Sequence, residues 1–200
     1  MSSSRPDARS RVGDARRALL SATAQIMLDE GYAAATSRRV AAKAGVKPAL
    51  VHYYFPSMDD LYLAVLRAGA ENNLTRQQDS LTGPTPLQAL WQLNNAQGAQ
   101  LWMEFMALAN HRKAIRSEIA GYAERFRDME ERAMADALRA HDVDAAQFPP
   151  VVMSMIVTSL ARIVRLEQGL GITRGHAEAE EFIAAYLRRF EAGSPNASRG

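Results

Sequence analysis

The chain has 200 residues, of which 48% are hydrophobic and 23% charged, which is an ordinary globular composition and a length that suits one large domain or a small domain plus a larger one. It has no cysteine, which excludes a disulfide framework, a thiolate zinc site and a cysteine nucleophile, and which favours the cytoplasm. The net charge of +2 hides an asymmetry, since residues 1–55 carry nine cations and four acids while the remainder carries 15 cations and 18 acids. Residues 1–55, called the head below, are therefore basic, and a basic segment of this kind is typical of proteins that bind a polyanion.

No segment predicts contact with a membrane. The amino end, MSSSRPDARSR, lacks an apolar signal segment. The longest apolar run, residues 151–161, is shorter than the roughly 20 residues that a membrane span needs.

The spacing of apolar residues predicts helices along the whole chain, and no stretch alternates as a strand would. A first helix is expected over about 14–29, with Gly31 as its stop. Thr36 or Ser37 caps a short helix through residue 44, which Gly45 ends. Pro48 opens a third helix.

The third helix is expected to end at Phe55, because the residue before a proline is pushed out of the helical region. Ser57 caps a long fourth helix to about residue 79. The segment TGPTP at 82–86 is the clearest linker. Five more helices are expected over about 86–97, 100–110, 112–141, 149–168 and 175–191. The prediction is an all-α fold of about nine helices.

The stretch VAAKAGVKPALVHYYF at 40–55 is typical of a helix-turn-helix. A small residue at Ala41 lets a second helix pass close by, and Gly45 supplies the positive φ of a tight turn. Val51 and Phe55, four residues apart, are expected to be buried. His52 and Tyr53 point away from that face, where their rings and polar atoms suit base edges and phosphates.

Residues 14–61 combine four features: a helix that ends in Gly31-Tyr32, the stretch TSRRVAAKAGV, the aromatic ending YYF and the opening PSMDDL. In this combination they resemble the TetR family of one-component transcriptional regulators. In two places the chain departs from the family: His52 stands where a tyrosine is usual, and Met58 where a phosphate-contacting lysine is usual. The second departure puts one backbone contact in doubt. Lys47 also replaces the usual Ser or Thr cap.

The resemblance implies double-stranded operator DNA as the partner of the head. The residues expected to face DNA are Thr36, Ser37, Arg38, Lys47, Pro48, Ala49, His52 and Tyr53. It also implies a helix-turn-helix domain over 1–58 with a flexible basic amino-terminal arm, a helical effector-binding and dimerisation domain over 59–193, and a disordered tail over 194–200. The long fourth helix joins the two domains.

In that family the last two helices pair with their copies in a dimer. The residues here agree, because the helix expected at 149–168 is apolar nearly all round, and a monomer of this size would leave part of it bare. We therefore expect a homodimer. Its predicted interface contains Met153, Ile156, Leu160, Phe182 and Tyr186.

The resemblance further implies a cavity for a small, mostly apolar effector. Rings and flexible thioethers suit such a pocket, although for each of them a place in the core is the simpler interpretation. The candidates are Trp91, Trp102, Phe105, Met106, Tyr122, Phe126, Met129 and Met155. Glu104, within LWMEFMALA, is expected to pair with an arginine such as Arg112 or Arg125.

The sequence offers little support for an enzyme. Its four histidines are isolated from one another, and it has no HExxH pair, Gly-rich phosphate loop or serine in a Gly-flanked turn. We predict no catalytic residue, metal or cofactor. The function that the sequence favours is a repressor that leaves a palindromic operator when an effector binds. A ligand-independent architectural DNA-binding dimer is the alternative, and a helical enzyme is a remote one.

Overall fold

The computed structural model describes residues 8–82, 85–94 and 98–190. In these residues the chain forms nine α-helices, one 3-10 turn and no strand, which confirms the predicted all-α fold. The predicted basic arm before residue 8 and the tail at 194–200 lie outside the described residues. The helices are α1 (Ala8–Glu30), α2 (Ser37–Lys43), α3 (Pro48–Tyr54), α4 (Met58–Leu81), α5 (Pro86–Asn94), α6 (Gly98–Ala109), α7 (Lys113–Ala140), α8 (Pro150–Gly169) and α9 (His176–Arg188).

Capping residues set several of these boundaries. The Thr36 hydroxyl accepts the Arg39 N–H at the start of α2, at 3.4 Å. At the start of α4 the Ser57 hydroxyl accepts the Asp60 N–H at 3.1 Å, and the Asp60 carboxylate accepts the Ser57 N–H at 2.9 Å. This reciprocal pair satisfies two of the amides that a helix start leaves without partners. Phe55 ends α3 in an extended conformation.

The first helix begins earlier than the expected residue 14. Helix α1 starts at Ala8, and Asp14 lies within it, paired with Arg17 one turn later. Asp14 could either cap the start of a helix or pair with a cation one turn further along a helix that starts earlier. The local sequence is compatible with both roles. Ala8, Arg9 and Arg11 are good helix formers, which favours continuation of the helix toward the amino end.

The described residues divide into two compact units. The first contains residues up to Gly69 together with Leu101–Ile119, and the second contains Ala70–Gln100 and the chain from Ala120 onward. These units follow the packing of the backbone. The predicted functional division near residue 58 stays a prediction.

The core of the first unit joins the helix-turn-helix to α6. Phe105 and Leu108 of α6 are buried in one cluster with residues of α1, α2, α3 and α4. The other fully buried large side chains of this cluster include Leu19, Met27, Val40, Val51, Leu61 and Leu66. Helix α6 therefore covers apolar surface that the first four helices would otherwise leave open to water.

A buried hydroxyl ties α4 to the loop before α2. The Tyr62 hydroxyl donates to the carbonyl oxygen of Ala35 at 2.9 Å, and burial raises the pKa of this tyrosine. Tyr62→Phe leaves that carbonyl without this donor, so we expect the free energy of unfolding to fall by about 1–3 kcal/mol in urea titrations. Tyr53→Phe, which changes an exposed ring, is the control and should leave stability unchanged. Equal stability of the two variants would show that the bond contributes nothing.

The second unit has its own core, formed by α5, α7, α8 and α9. Its buried members are Leu87, Trp91, Met134, Ala137, Leu138, Val157, Ala161, Ile183 and Leu187. Helix α8 packs against both α5 and α9. Within the described ranges, no helix combines the length and the apolar character required to span a membrane.

Candidate nucleic-acid interface

The turn between α2 and α3 has the predicted geometry. Gly45 has a φ of +67°, and Ala41 is completely buried. The Val46 N–H donates to the Ala41 carbonyl at 3.0 Å, and the Gly45 N–H donates to the Ala42 carbonyl at 3.2 Å. A Cβ added at Gly45 would meet no atom within 4 Å, so the requirement for glycine comes from the positive φ and not from crowding.

Helix α3 divides into a buried and an exposed face as its spacing predicts. Val51 and Phe55 retain only 1% and 3% of their surface, while Tyr53 is 76% exposed and His52 is also exposed. The Tyr53 ring rests edge-on against Tyr54, with the centroids 5.1 Å apart. The exposed Tyr53 ring is thus supported by Tyr54, which packs against the core of the first unit.

The remaining predicted DNA-facing residues lie at the starts of α2 and α3. Of these, Thr36, Arg38, Lys47, Pro48 and Ala49 are exposed, and Ser37 is half-buried. Thr36 is also the cap of α2: its hydroxyl oxygen accepts a backbone N–H, which leaves the hydroxyl hydrogen able to donate to another group. Lys47 stands at the cap position of α3, where its side chain makes no capping hydrogen bond. Whether these residues contact DNA stays a prediction.

The charge count of the sequence overstates the free positive charge of the head. Arg39 pairs with Glu30, which raises the pKa of the guanidinium, and Lys43 lies 3.4 Å from Asp29. Both acids belong to the last turn of α1. In the described part of the chain, Arg38 has no such ion pair. Of the two adjacent arginines in α2, Arg38 is therefore the better candidate for a phosphate or a base.

The predicted arginine partner of Glu104 is wrong. The Glu104 carboxylate accepts the backbone N–H of Tyr32 at 3.1 Å, in the turn that follows α1. Arg112 pairs with Asp59 at 3.0 Å, and Arg125 pairs with Glu71 at 2.9 Å. A backbone amide satisfies a carboxylate as a cation does, and sequence patterns do not show such long-range amide partners.

The predicted effector residues fall into both units. Trp102, Phe105 and Met106 belong to the first unit, where Phe105 is fully buried in the core and Met106 is exposed. The second unit contains Trp91, Tyr122, Phe126, Met129 and Met155. Trp91 packs in the core of that unit, and Met155 lies on the exposed side of α8. The role of this set stays a prediction.

The tyrosine of that set is held by polar contacts. The Tyr122 hydroxyl donates to Glu71 at 3.0 Å, and the Arg125 guanidinium lies 5.1 Å from the centre of its ring. The hydrogen bonds from Arg125 and Tyr122 keep the pKa of Glu71 below its usual value.

The predicted interface residues lie on α8 and α9. Ile156 and Phe182 are 51% and 66% exposed, while Met153, Leu160 and Tyr186 are partly buried against the second core. Helix α8 is not uniformly covered: it buries one side and exposes an apolar row on the other. That row contains Val152, Met155, Ile156, Ile163 and Leu166.

A polar cluster inside the second unit was not predicted. Glu130 of α7 and Gln77 of α4 are almost completely buried, and the Gln77 amide donates to Glu130 at 3.3 Å. Arg127 and Arg162 lie 4.0 and 3.9 Å from the carboxylate, and Arg162 donates to the Asn94 side chain at 3.1 Å. Burial raises the pKa of Glu130 and lowers the pKa of Arg162. The sequence marks these positions only as polar residues on amphipathic helices.

The comparisons with known proteins agree with this arrangement. Residues 19–65 match the family of bacterial regulatory proteins known as the tetR family. The chain is also similar to the HTH-type transcriptional regulator BetI of Rhizobium meliloti (strain 1021), with 25% identity over 186 residues that cover 86% of this chain and 89% of BetI.

Solved structures share the fold. A transcriptional regulator from Saccharomonospora viridis in complex with choline superimposes with a TM-score of 0.74 at 18% identity, covering 88% of this chain and 96% of that one. A TetR transcription regulator from Haloarcula marismortui ATCC 43049 gives 0.71 at 20% identity, covering 88% and 98%. The helix-turn-helix segment of this chain, residues 19–65, is therefore similar to the tetR family of bacterial regulatory proteins, and the chain as a whole is similar to a transcriptional regulator.

Proposed function

We propose that this DNA-binding transcriptional regulator is a homodimeric cytoplasmic repressor, which binds a palindromic operator and releases it when a small, mostly apolar effector binds. The observation that carries the proposal is the exposed face of α3. A helix that enters the major groove needs an exposed polar and aromatic face for the DNA. It also needs a buried face, here Val51 and Phe55, that packs against the neighbouring helices.

The chemistry of this face suits both parts of DNA recognition. Arg38 can contact a phosphate or the edge of a guanine, and the polar atoms of His52 and Tyr53 can donate to or accept from bases and phosphates. Their ring bodies can pack on thymine methyl groups. Phosphate contacts would fix the register of the protein, and contacts to base edges would select the sequence.

The exposed row of α8 supports a homodimer. Its side chains recur three, four or seven residues apart, which places them on one face of the helix. Phe182 of α9 adds a ring that stacks on Tyr186 with the centroids 6.3 Å apart. Large contiguous apolar patches on soluble proteins mark interaction sites. A two-fold symmetric pair would bury this patch against its own copy and would match a palindromic operator.

A small-molecule effector is supported by one of the structural neighbours. The regulator from Saccharomonospora viridis, which has the same fold, was solved in complex with choline. The second unit of this chain contains buried or half-buried Trp91, Tyr122, Phe126 and Met129, which are the side chains that adaptable apolar pockets use.

Selection of bound duplexes from random DNA tests the repressor proposal. We expect a two-fold symmetric site whose half-sites are centred about 34–36 Å apart, or a multiple of it. A melting-temperature screen of apolar metabolites and choline should then find an effector. By linkage, this effector lowers DNA affinity by the factor by which DNA lowers effector affinity.

Two outcomes would contradict parts of the proposal. Selection that returns no symmetric site would exclude the palindromic operator. Ligands that raise the melting temperature but bind the free and DNA-bound protein equally well would exclude a switch, and a ligand-independent architectural DNA-binding dimer would then be the better interpretation.

A further inference from the structure

The polar cluster of the second unit contains buried polar atoms that have no hydrogen-bond partner among the described residues. Gln77 Oε1, Arg127 Nη1, Glu130 Oε2 and Thr158 Oγ1 are all buried without a hydrogen-bond partner. Each unmade bond of a buried polar group costs about 1–3 kcal/mol, so native interiors satisfy nearly all of them. Four such atoms on three helices require an explanation.

The unsatisfied atoms are placed together by the packing of α4, α7 and α8. Gln77 donates to Glu130 Oε1, and Arg127 Nη1 lies 4.0 Å from the other oxygen of that carboxylate, too far for a hydrogen bond. Thr158 precedes Arg162 by one turn, which puts the two on the same side of α8. Thr158 is itself completely buried on that side of α8.

The two arginine side chains of the cluster extend from its buried part to the surface of the second unit. The Arg127 and Arg162 side chains retain 29% and 31% of their surface, whereas the Glu130 side chain beneath them retains 2%. A ligand that displaced these two partly exposed side chains outward would meet the buried acceptors beneath them.

The charges of the cluster select the kind of molecule. Two guanidiniums, those of Arg127 and Arg162, lie within 4.0 Å of the single Glu130 carboxylate, so these three described side chains together carry one excess positive charge. An added cation would meet two guanidiniums at close range. An added carboxylate would balance the charge, and guanidinium groups bind carboxylates with charge-assisted hydrogen bonds.

We propose that this cluster binds the polar head of the effector, and that the head is a carboxylate with a neighbouring hydroxyl group. The carboxylate accepts from Arg127 Nη1, and the hydroxyl donates to Gln77 Oε1 or Glu130 Oε2. The proposal rests on the proposed function and names the chemistry of its effector. It also separates this chain from the neighbour that holds choline, whose head is a cation.

The test uses probes that share a body and differ in the head. Phenylacetate, mandelate, phenylacetamide and benzyltrimethylammonium form one set; hexanoate, hexanamide and hexyltrimethylammonium form another; choline is added alone. Affinity for the full-length protein is measured by calorimetry and by the rise in melting temperature. We expect saturable binding of the carboxylates, tighter binding of mandelate than of phenylacetate, and weaker binding of the amides and cations.

Variants of Arg127 connect the binding to the cluster. Arg127→Gln removes a guanidinium whose Nη1 makes no hydrogen bond in the fold, and Arg162 still faces Glu130, so folding should be preserved. Carboxylate affinity should fall by about 10- to 100-fold, the effect of one charge-assisted bond. Arg127→Lys keeps the charge and should retain part of the affinity. Arg139→Gln, an exposed arginine on the same helix, is the matched control and should bind as the wild type does.

Three results would overturn the proposal: amides or cations that bind as tightly as the carboxylates, carboxylates that bind Arg127→Gln as they bind the wild type, or no carboxylate binding at all. DNA binding is measured in parallel with the selected operator. If the DNA is bound and a ligand with another head releases it, the repressor stands and only the carboxylate is wrong. If the wild type selects no operator, the proposed function itself fails.

Discussion

Ile156→Asp is expected to be a monomer at micromolar concentrations where the wild type sediments as a dimer. Ile156 is about half-exposed in the single chain, so the aspartate can remain hydrated there and the fold should persist. In the proposed interface the same carboxylate would be buried without a partner, at a cost of several kcal/mol. Sedimentation velocity measures the change.

Ala123→Asp, which adds the same charge to an exposed position of α7, is the control and should leave the dimer intact. The monomeric variant should also lose most of its affinity for the full operator, because two half-sites are then no longer held in register. A wild type that is itself monomeric at micromolar concentration would end the homodimer proposal.

Arg38→Ala and Tyr53→Ala are each expected to weaken operator binding by about 5- to 150-fold, the effect of losing 1–3 kcal/mol of contacts. Both side chains are exposed, so the melting temperature should not change. If Arg38 contacts a phosphate, its variant should also reduce the slope of affinity against salt by about one. Fluorescence anisotropy at several salt concentrations measures both quantities.

The adjacent arginine provides the matched comparison. Arg39 pairs with Glu30 at the end of α1, so Arg39→Ala should affect DNA binding less than Arg38→Ala does. If Arg38→Ala and Tyr53→Ala bind with wild-type affinity and salt slope, the face assigned to DNA is wrong.

Local patterns were sufficient to predict most of the helices. Their caps and stops, such as Thr36, Gly45, Pro48 and Ser57, act over three or four residues, and the structure uses them as predicted. The early start of α1 was missed because Asp14 has two possible local partners, and the pattern does not decide between them. The charge asymmetry of the head was correct as a count, but it could not show that Glu30 and Asp29 neutralise two of the cations.

Contacts over long sequence separations could not be read from the sequence. Glu104 binds an amide 72 residues away, and Gln77 binds Glu130 over 53 residues. The amphipathic pattern of α7 predicts which face is buried, but a glutamate on such a helix is expected on its solvated side. Only the packing of α4, α5 and α8 around it shows that Glu130 is inside.

The place of α6 in the first core bears on how such regulators can be recombined. The segment that matches the tetR family ends at residue 65, yet Phe105 and Leu108 fill the core that this segment begins, and Glu104 holds the turn at Tyr32. Truncating the chain after α4 would expose to water the apolar core residues of α1–α4 that α6 covers. A hybrid protein that joins this helix-turn-helix to another sensor domain must therefore include α6. The segment that sequence comparison detects is smaller than the unit that folds.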